Sequence, residues 1–134
     1  MPMHAAGTFD VKVAPQAPSD FETAAALSRL TIDKEIHGDL EGTSKGVMLA
    51  TSTEAKGSGA YVALERVTGK LRGREGTFVL QHSGTMTSTS QQLLITVVPD
   101  SGTGQLTGLS GKFLIKIVDK KHFYEFGYTL PGDN

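Results

Sequence analysis

The chain contains no cysteine among its 134 residues, and this absence is the first constraint on its chemistry. Without cysteine there is no disulfide framework and no thiolate chemistry. An excess of charge of one sign is also missing, because 13 basic and 14 acidic residues leave a net charge of −1. No overall field attracts nucleic acid or acidic membranes, and basic residues do not cluster with aromatic ones. We therefore expect neither nucleic acid nor a membrane as a partner.

Long apolar runs and helical periods are absent as well. No apolar run approaches the roughly 20 residues that span a bilayer, and residues 1–7 lack the cationic and apolar regions of a signal peptide. A soluble, cytoplasmic protein is the expectation. No segment has a long helical period, and the length predicts a single domain over residues 1–134.

Glycine, by contrast, is abundant, and its 16 residues recur in a pattern. The motif Gly-x-Leu-x-Gly occurs at 38–42, 69–73 and 104–108, and a second glycine opens an apolar run a few residues after each copy. The chain start matches the second half of this unit, and residues 128–132 approximate the first half. Glycine weakens a strand unless the strand bends sharply or another backbone comes close, as at barrel corners. Four copies of a two-strand unit predict an all-β fold, a closed eight-stranded antiparallel β-barrel.

Alternation of apolar and polar residues gives the predicted strands. They cover residues 7–13, 27–38, 46–53, 60–72, 76–83, 92–99, 111–118 and 122–130. We interpret residues 14–26 as a loop with one short helical turn, capped by Ser19 or Asp20. The connections are short, so neighbouring strands should run antiparallel.

Aligning the four units predicts which side chains point into the barrel, because residues of one parity share a face of a strand. Two aligned inner positions are apolar throughout: Phe9, Met48, Phe78 and Phe113, and Leu40, Leu71, Leu106 and Leu130. The same face also carries polar residues, namely Lys34, Tyr61, Glu65, His82, Tyr124 and Tyr128. Burying a charge is costly unless it is paired or hydrated, so the charged members of this set require partners or water.

A ligand site would account for these inward polar residues, since an eight-stranded barrel can hold one small ligand and polar groups converging on an apolar cavity are typical of such sites. Glu65 and His82 are the candidate catalytic, proton-transfer groups. The candidate ligand-binding residues are Lys34, Tyr61, Phe78, Tyr124 and Tyr128. Burial would raise the pKa of Glu65, whereas Lys34 would lower it.

The inward polar set also fits two arrangements that involve no ligand. Lys34 and Glu65 could form a buried ion pair capped by tyrosine hydroxyls. If the two faces of the strands were assigned the wrong way round, by a shift of one residue, the whole polar set would face solvent instead.

Metal and cofactor sites are not predicted. The four histidines, at positions 4, 37, 82 and 122, show no H-x-H or H-E-x-x-H spacing. The proton-transfer chemistry suggested above requires no cofactor. The presumed outer face carries more apolar residues than a lone barrel needs, which predicts a homo-oligomer. These residues are Leu49, Val62, Leu64, Val79 and Leu114.

Residues 98–111 resemble the G-T-G-x-F-x-x-x-x-G signature of the allene oxide cyclase and dirigent barrels. Over nearly its full length the chain is similar to a bacterial family of unknown function, domain-of-unknown-function family 3224, which is grouped structurally with allene oxide cyclase. The segments that carry this similarity are 7–11, 37–44, 61–66, 73–82 and 99–111. The resemblance implies an eight-stranded barrel and frequent oligomerisation among its structural relatives, but no established activity. No residue matches the active sites of the cyclase or dirigent proteins, so none is transferred.

Three functions follow from these patterns. The barrel could bind a small, largely apolar molecule in its interior and isomerise or cyclise it. It could carry or sense such a molecule without catalysis. It could also be a structural or interaction module whose interior is filled by side chains. An open cavity flanked by proton-transfer groups would favour the first function, and a dry, closed interior the third.

Overall fold

A computed structural model describes residues 3–132, which form one closed barrel of eight antiparallel strands. The strands are β1 (Met3–Pro15), β2 (Ser28–Gly38), β3 (Leu40–Ser52), β4 (Gly59–Leu71), β5 (Arg74–Met86), β6 (Gln91–Val97), β7 (Ser110–Val118) and β8 (Lys121–Thr129). Each strand pairs with its neighbours in the chain, and β8 closes the barrel on β1. The predicted fold class is confirmed.

Gly42 and Gly69, one from each of the first two repeats, lie inside the sheet, because the backbones of neighbouring strands approach closely there, whereas Gly73 lies in the turn between β4 and β5. Gly42 of β3 is directly opposite Gly69 of β4, and a Cβ on Gly42 would collide with the carbonyl oxygen of Thr68. Only glycine allows this approach. The predicted start of the third strand at residue 46 is therefore wrong, since β3 already begins at Leu40.

The third repeat departs from the other two because β6 ends at Val97, before the chain reaches the repeat at 104–108. Residues 98–109 run beside β5, where Val98 N donates to Val79 O at 2.8 Å and Thr103 N donates to Thr77 O at 2.9 Å. A short 3-10 turn at Gly104–Leu106 then buries Leu106 completely. The repeat thus keeps its inward leucine although the strand is interrupted.

The connection between β1 and β2 contains the expected helical turn, α1 (Asp20–Ala24). Ser19 caps it in a reciprocal arrangement: Ser19 Oγ accepts from Glu22 N at 3.1 Å, and Glu22 Oε1 accepts from Ser19 N at 2.9 Å. Within residues 3–132, no helix has the length and apolar character required to cross a membrane.

The two ends of the barrel contain different kinds of side chain. The corner end, defined by the repeat leucines Leu40, Leu71, Leu106 and Leu130, is packed with aromatic rings. Phe126 lies at its centre, with ring centroids 5.9 Å from Phe78, 5.3 Å from Phe113 and 5.3 Å from Tyr128. The opposite hairpin end is defined by the turns at 53–58, 87–90 and 119–120. The polar residues predicted to face inward are buried or half-buried, so the parity was assigned correctly.

Candidate functional site

Apart from tyrosines, four polar side chains among residues 3–132 are buried inside the barrel, one from each of four consecutive strands. They are Lys34 on β2, Ser44 on β3, Glu65 on β4 and His82 on β5. All four lie on the inward parity of their strands, between the aromatic packing and the hairpin end. Because adjacent strands are hydrogen-bonded neighbours, residues from β2 to β5 can converge on one point of the interior.

The carboxylate of Glu65 is that point. Its Oε1 accepts a hydrogen bond from Lys34 Nζ at 2.9 Å and another from His82 Nε2 at 2.6 Å. Its Oε2 accepts from Ser44 Oγ at 2.6 Å. The Glu65 side chain has no exposed surface, so these three partners replace water around its charge. Lys34 Nζ also lies 4.8 Å from the centroid of the Phe9 ring, a cation–π distance.

A glycine makes room for Glu65. Gly46 on β3 is directly opposite Glu65 on β4, and a Cβ at Gly46 would lie 2.6 Å from Glu65 Cβ. Gly46 is the glycine that opens the apolar run after the first Gly-x-Leu-x-Gly motif. The same repeat that shapes the barrel therefore clears the space in which the carboxylate sits.

The partners decide the charge state of Glu65. Burial alone raises the pKa of Glu65, but the hydrogen bond from His82, the charge of Lys34 and the hydrogen bond from Ser44 outweigh it and lower that pKa to about 2. Of the two opposing influences expected from the sequence, the lowering prevails. Glu65 is consequently an anion at neutral pH and accepts hydrogen bonds without donating any.

The hydrogen bonds also assign the tautomer of His82. Because ionised Glu65 is only an acceptor, His82 Nε2 carries a proton. The other ring nitrogen, Nδ1, lies 3.2 Å from the hydroxyl of Tyr61. In the neutral ring, Nδ1 is the acceptor and Tyr61 O–H the donor. Tyr61, His82 and Glu65 thus form a continuous hydrogen-bonded chain.

Tyr61 is the outermost of these three hydrogen-bonded residues. It is half-buried and lines a pocket of about 570 Å³ at the hairpin end, beside the turn between β3 and β4. Burial, and after it the charge of Glu65, raises the pKa of Tyr61, so the hydroxyl keeps its proton. Gly84 on β5 leaves the space that the ring occupies, since a Cβ there would lie 2.8 Å from it.

The other three predicted ligand-binding residues are Phe78, Tyr124 and Tyr128, and they lie in the corner end. Tyr124 OH accepts from Leu40 N at 2.9 Å and lies 3.0 Å from the carbonyl oxygen of His37, so it ties β8 to the turn between β2 and β3. Burial is the main cause that raises the pKa of Tyr124. Phe78 and Tyr128 are fully buried in the aromatic packing. The structure therefore separates the predicted set into a polar network and a packed core.

Sequence reasoning missed Ser44, although the signal was available. Ser44 lies two residues before Gly46, on the inward parity of β3, and is paired with Lys34 of β2 across the sheet. A small hydroxyl on the inner face between apolar positions indicates a hydrogen-bond partner for a buried charge. The hydroxyl of Ser44 supplies the one bond that Glu65 Oε2 receives from a side chain among the described residues.

A second group of ionisable residues lies on the outer wall. Asp10, Glu35 and His37 place one potential metal-ligand atom each within 4.8 Å of one another, and all three are exposed. Spacing motifs could not find this group because Asp10 belongs to β1 and the other two to β2. Asp10 and Glu35 are directly opposite each other in the register. The group is separate from the interior network.

Comparison with known proteins identifies relatives whose function is also undetermined. The sequence profile of the family described as "Protein of unknown function (DUF3224)" matches residues 5–128. The chain is 45% identical to a DUF3224-family protein of unknown function from Shewanella oneidensis MR-1. The crystal structure of that protein superposes on this one with a TM-score of 0.90, and the alignment covers 97% of this chain and 98% of that chain. No curated protein matches. The interior network is thus the main guide to function.

Proposed function

Since the chain belongs to the DUF3224 family of proteins of unknown function, we propose from the site alone that it binds a small, largely apolar molecule. The ligand occupies the pocket at the hairpin end of the barrel. An oxygen or other polar atom of the ligand meets the hydroxyl of Tyr61. The buried network behind Tyr61 fixes the orientation of that hydroxyl.

The observation that carries this proposal is the meeting of an apolar pocket with a buried polar network. The pocket of about 570 Å³ is within the usual size of small-molecule sites. Met48, Ala50 and Met86 contribute apolar surface to its wall. Lys56 and several serine and threonine residues of the adjoining turn complete the wall. Tyr61 lines the same pocket and is hydrogen-bonded to His82, so a hydroxyl with a fixed orientation lies beside the apolar surface. That combination is typical of ligand sites.

Two pockets on the outer wall have comparable volumes, but Tyr61 lines neither of them. His82 contributes to the lining of the smaller pocket, but its side chain is 4% exposed and points into the barrel. The larger pocket, of about 690 Å³, is bordered by Leu114 and Phe123, and the smaller one, of about 520 Å³, by Val47 and Leu64. These four side chains are substantially exposed. Such surfaces suit contacts with another protein chain better than retention of a small molecule.

The test is native mass spectrometry of the protein purified gently from its own host. We expect a stoichiometric small molecule that denaturation releases. Ala50→Phe, which fills the pocket, should lose this molecule, whereas Thr43→Phe on the outer face of the same strand should retain it. Equal ligand content in both variants would contradict the proposed location.

A filled structural barrel is the second candidate function, and one observation favours it. Among residues 3–132, no buried side-chain nitrogen or oxygen lacks a hydrogen-bond partner, so the network is complete without a ligand. Protein of clean subunit mass from the native host, together with no effect of Ala50→Phe on any property but stability, would support this candidate.

We also infer that the outer face of β3 and β4 mediates self-association with a second copy of the chain. Val47 is directly opposite Leu64, and Leu49 is directly opposite Val62. The four side chains form one continuous apolar patch, and each is between 39% and 57% exposed. Sedimentation velocity should therefore reveal a species larger than the 14.2 kDa monomer, and Leu64→Lys should convert it to the monomer. A monomer at micromolar concentration would contradict the inference.

A further inference from the structure

We propose that Tyr61, His82 and Glu65 form a proton relay that ionises a weakly acidic hydroxyl group, such as that of an enol or a phenol, on the bound molecule. This inference rests on the proposed function, because the hydroxyl must reach Tyr61 from the pocket at the hairpin end. It assigns Tyr61 as the group that touches the ligand, and Glu65 as a positioning residue for His82.

Exposure determines which member of the chain meets the ligand. The side chains of Glu65, His82 and Lys34 are 0%, 4% and 7% exposed, and Tyr61 is half-buried against the pocket. A ligand in that pocket therefore contacts the network through Tyr61. The two deeper links, 3.2 Å from Tyr61 OH to His82 Nδ1 and 2.6 Å from His82 Nε2 to Glu65 Oε1, are within the range of proton-transfer contacts.

The hydrogen-bond directions determine what Tyr61 recognises. Glu65 accepts from His82 Nε2, so Nδ1 of the neutral ring accepts from Tyr61 O–H. The proton of Tyr61 is thereby directed inward, and the lone pairs of its oxygen are left for the pocket. In this state Tyr61 favours a ligand that donates a hydrogen bond over one that only accepts. A hydroxyl group is the simplest such donor on a largely apolar molecule.

The proton transfer is balanced in atoms and charge. The ligand O–H bond breaks and its proton passes to the oxygen of Tyr61, while the original proton of Tyr61 passes to His82 Nδ1. The products are a ligand oxyanion, a neutral Tyr61 hydroxyl that now donates to this oxyanion, and an imidazolium ring that donates to Tyr61 and Glu65. No oxidant, metal or further reactant takes part. The arrangement follows the logic of a base oriented by a carboxylate.

The surrounding charges favour this outcome only when the oxyanion is present. The groups facing His82 are Lys34 from β2 and Glu65 and Tyr61 from β4, and its partner on β6 is the uncharged Ile95. With a neutral ring, Lys34 and Glu65 compensate each other. Once the ring is protonated, one positive charge is in excess, and the ligand oxyanion balances it. Lys34, Glu65, His82 and the ligand are therefore neutral together with a neutral ligand and again with the ionised one. Lys56 also lines the pocket and adds a positive charge that favours the oxyanion.

The probe for this inference is 4-nitrophenol, whose phenolate absorbs visible light. The apparent pKa of the bound probe is measured by absorbance titration, and its binding is measured separately by equilibrium dialysis. We expect the wild-type protein to lower the apparent pKa of the probe by at least about one pH unit, as a compensating positive charge within a few ångströms does. Tyr61→Phe and His82→Gln should bind the probe without this shift.

A matched control is available in His122. It lies at the hairpin end, and its ring centroid is 5.0 Å from that of Phe9. It takes no part in the hydrogen bonds that link Tyr61, His82 and Glu65. His122→Gln should therefore keep the shift. Thermal unfolding of each variant checks that it is folded, and Tyr61→Phe tests the relay independently if His82→Gln does not fold.

The outcomes separate the relay from the proposed function. Probe that binds the wild type with an unchanged pKa overturns the relay and leaves the ligand pocket intact. A shift that persists in Tyr61→Phe overturns the role of Tyr61, and no binding at millimolar probe overturns the enol or phenol class. If Ala50→Phe binds the probe as the wild type does, the proposed pocket itself is wrong.

Discussion

The corner end and the hairpin end of this barrel use the same eight strands and the same inward parity, yet they bury opposite kinds of side chain. The corner end contains the repeat leucines and a stack of aromatic rings around Phe126. The hairpin half contains Lys34, Glu65 and His82, which are charged or polar and still almost fully buried. The repeat that builds the barrel therefore specifies its shape and the leucines of the corner end. It does not specify the polar residues that are buried toward the hairpin end.

A second comparison isolates the effect of burial. Lys34 and Glu65 are 2.9 Å apart inside the barrel, whereas Lys45 and Asp33 are 3.2 Å apart on its outside. The side chains of the inner pair are 7% and 0% exposed, and those of the outer pair are 80% and 55% exposed. Similar distances therefore describe two different interactions, because water screens only the outer one.

The largest expected effect is that of breaking the inner pair. Glu65→Gln leaves the ammonium of Lys34 buried without a counter-charge and should lower the free energy of unfolding by about 4 kcal/mol. Urea unfolding measures this loss, and adding Lys34→Met to the same protein should restore much of it. The matched outer variant, Lys45→Ala, should cost about 0.5 kcal/mol or less. Equal losses in Glu65→Gln and Lys45→Ala would contradict the comparison.

Cavity formation in the corner end should follow. Leu71, one of the repeat leucines, is 1% exposed, so Leu71→Ala removes buried methyl groups and should cost about 3 kcal/mol. Because the cavity lies away from the hairpin end, ligand content by native mass spectrometry should not change. A variant that folds well but loses its ligand would show that the two ends are coupled.

Acid should remove the contribution of the buried Glu65 network to the free energy of unfolding. The pKa of Glu65 falls from its ordinary value of 4.5 to about 2 on folding. Its contribution is therefore fully present above about pH 4.5 and is lost as the pH falls toward 2. By about pH 3 it should have decreased by about 2 kcal/mol. The difference in unfolding free energy between the wild type and Glu65→Gln, measured across this range, should shrink accordingly, and a constant difference would argue against an ionised Glu65.

Among the changes inside the barrel, the smallest effect is expected at the boundary between the network and the pocket. Tyr61→Phe removes one partly buried hydrogen bond to His82 and should cost about 1 kcal/mol. Thermal or urea unfolding gives the value. A loss as large as that of Glu65→Gln would mean that Tyr61 is part of the structural network and not a group free to exchange partners with a ligand.

Most of the fold was predictable because alternation and glycine are local signals. The period of two residues assigned Lys34, Tyr61, Glu65 and His82 to the interior, and the structure confirms each assignment. The start of β3 was not predictable in the same way. Gly42 marks a close approach of two backbones within the sheet. From the sequence alone, the same glycine is equally compatible with a break between two strands.

The candidate site was predictable in its members but not in its connections. The sequence favoured Tyr61 and Tyr124 equally as inward hydroxyls near a charged pair. In the structure Tyr61 hydrogen-bonds to His82, whereas Tyr124 hydrogen-bonds to the backbone at Leu40, in the other half of the barrel. Which side chain reaches which partner depends on the stagger of the strands and on the space left by Gly46 and Gly84.

The sequence by itself determined the number of strands, their antiparallel order and the face on which each side chain lies, because these follow from a two-residue period and short connections. Only the tertiary structure decided that one carboxylate collects the bonds of Lys34, Ser44 and His82 and that its pKa is consequently lowered. The physical reason is distance: hydrogen bonds act over about 3 Å. That spacing between β2, β3, β4 and β5 exists only after the barrel has closed.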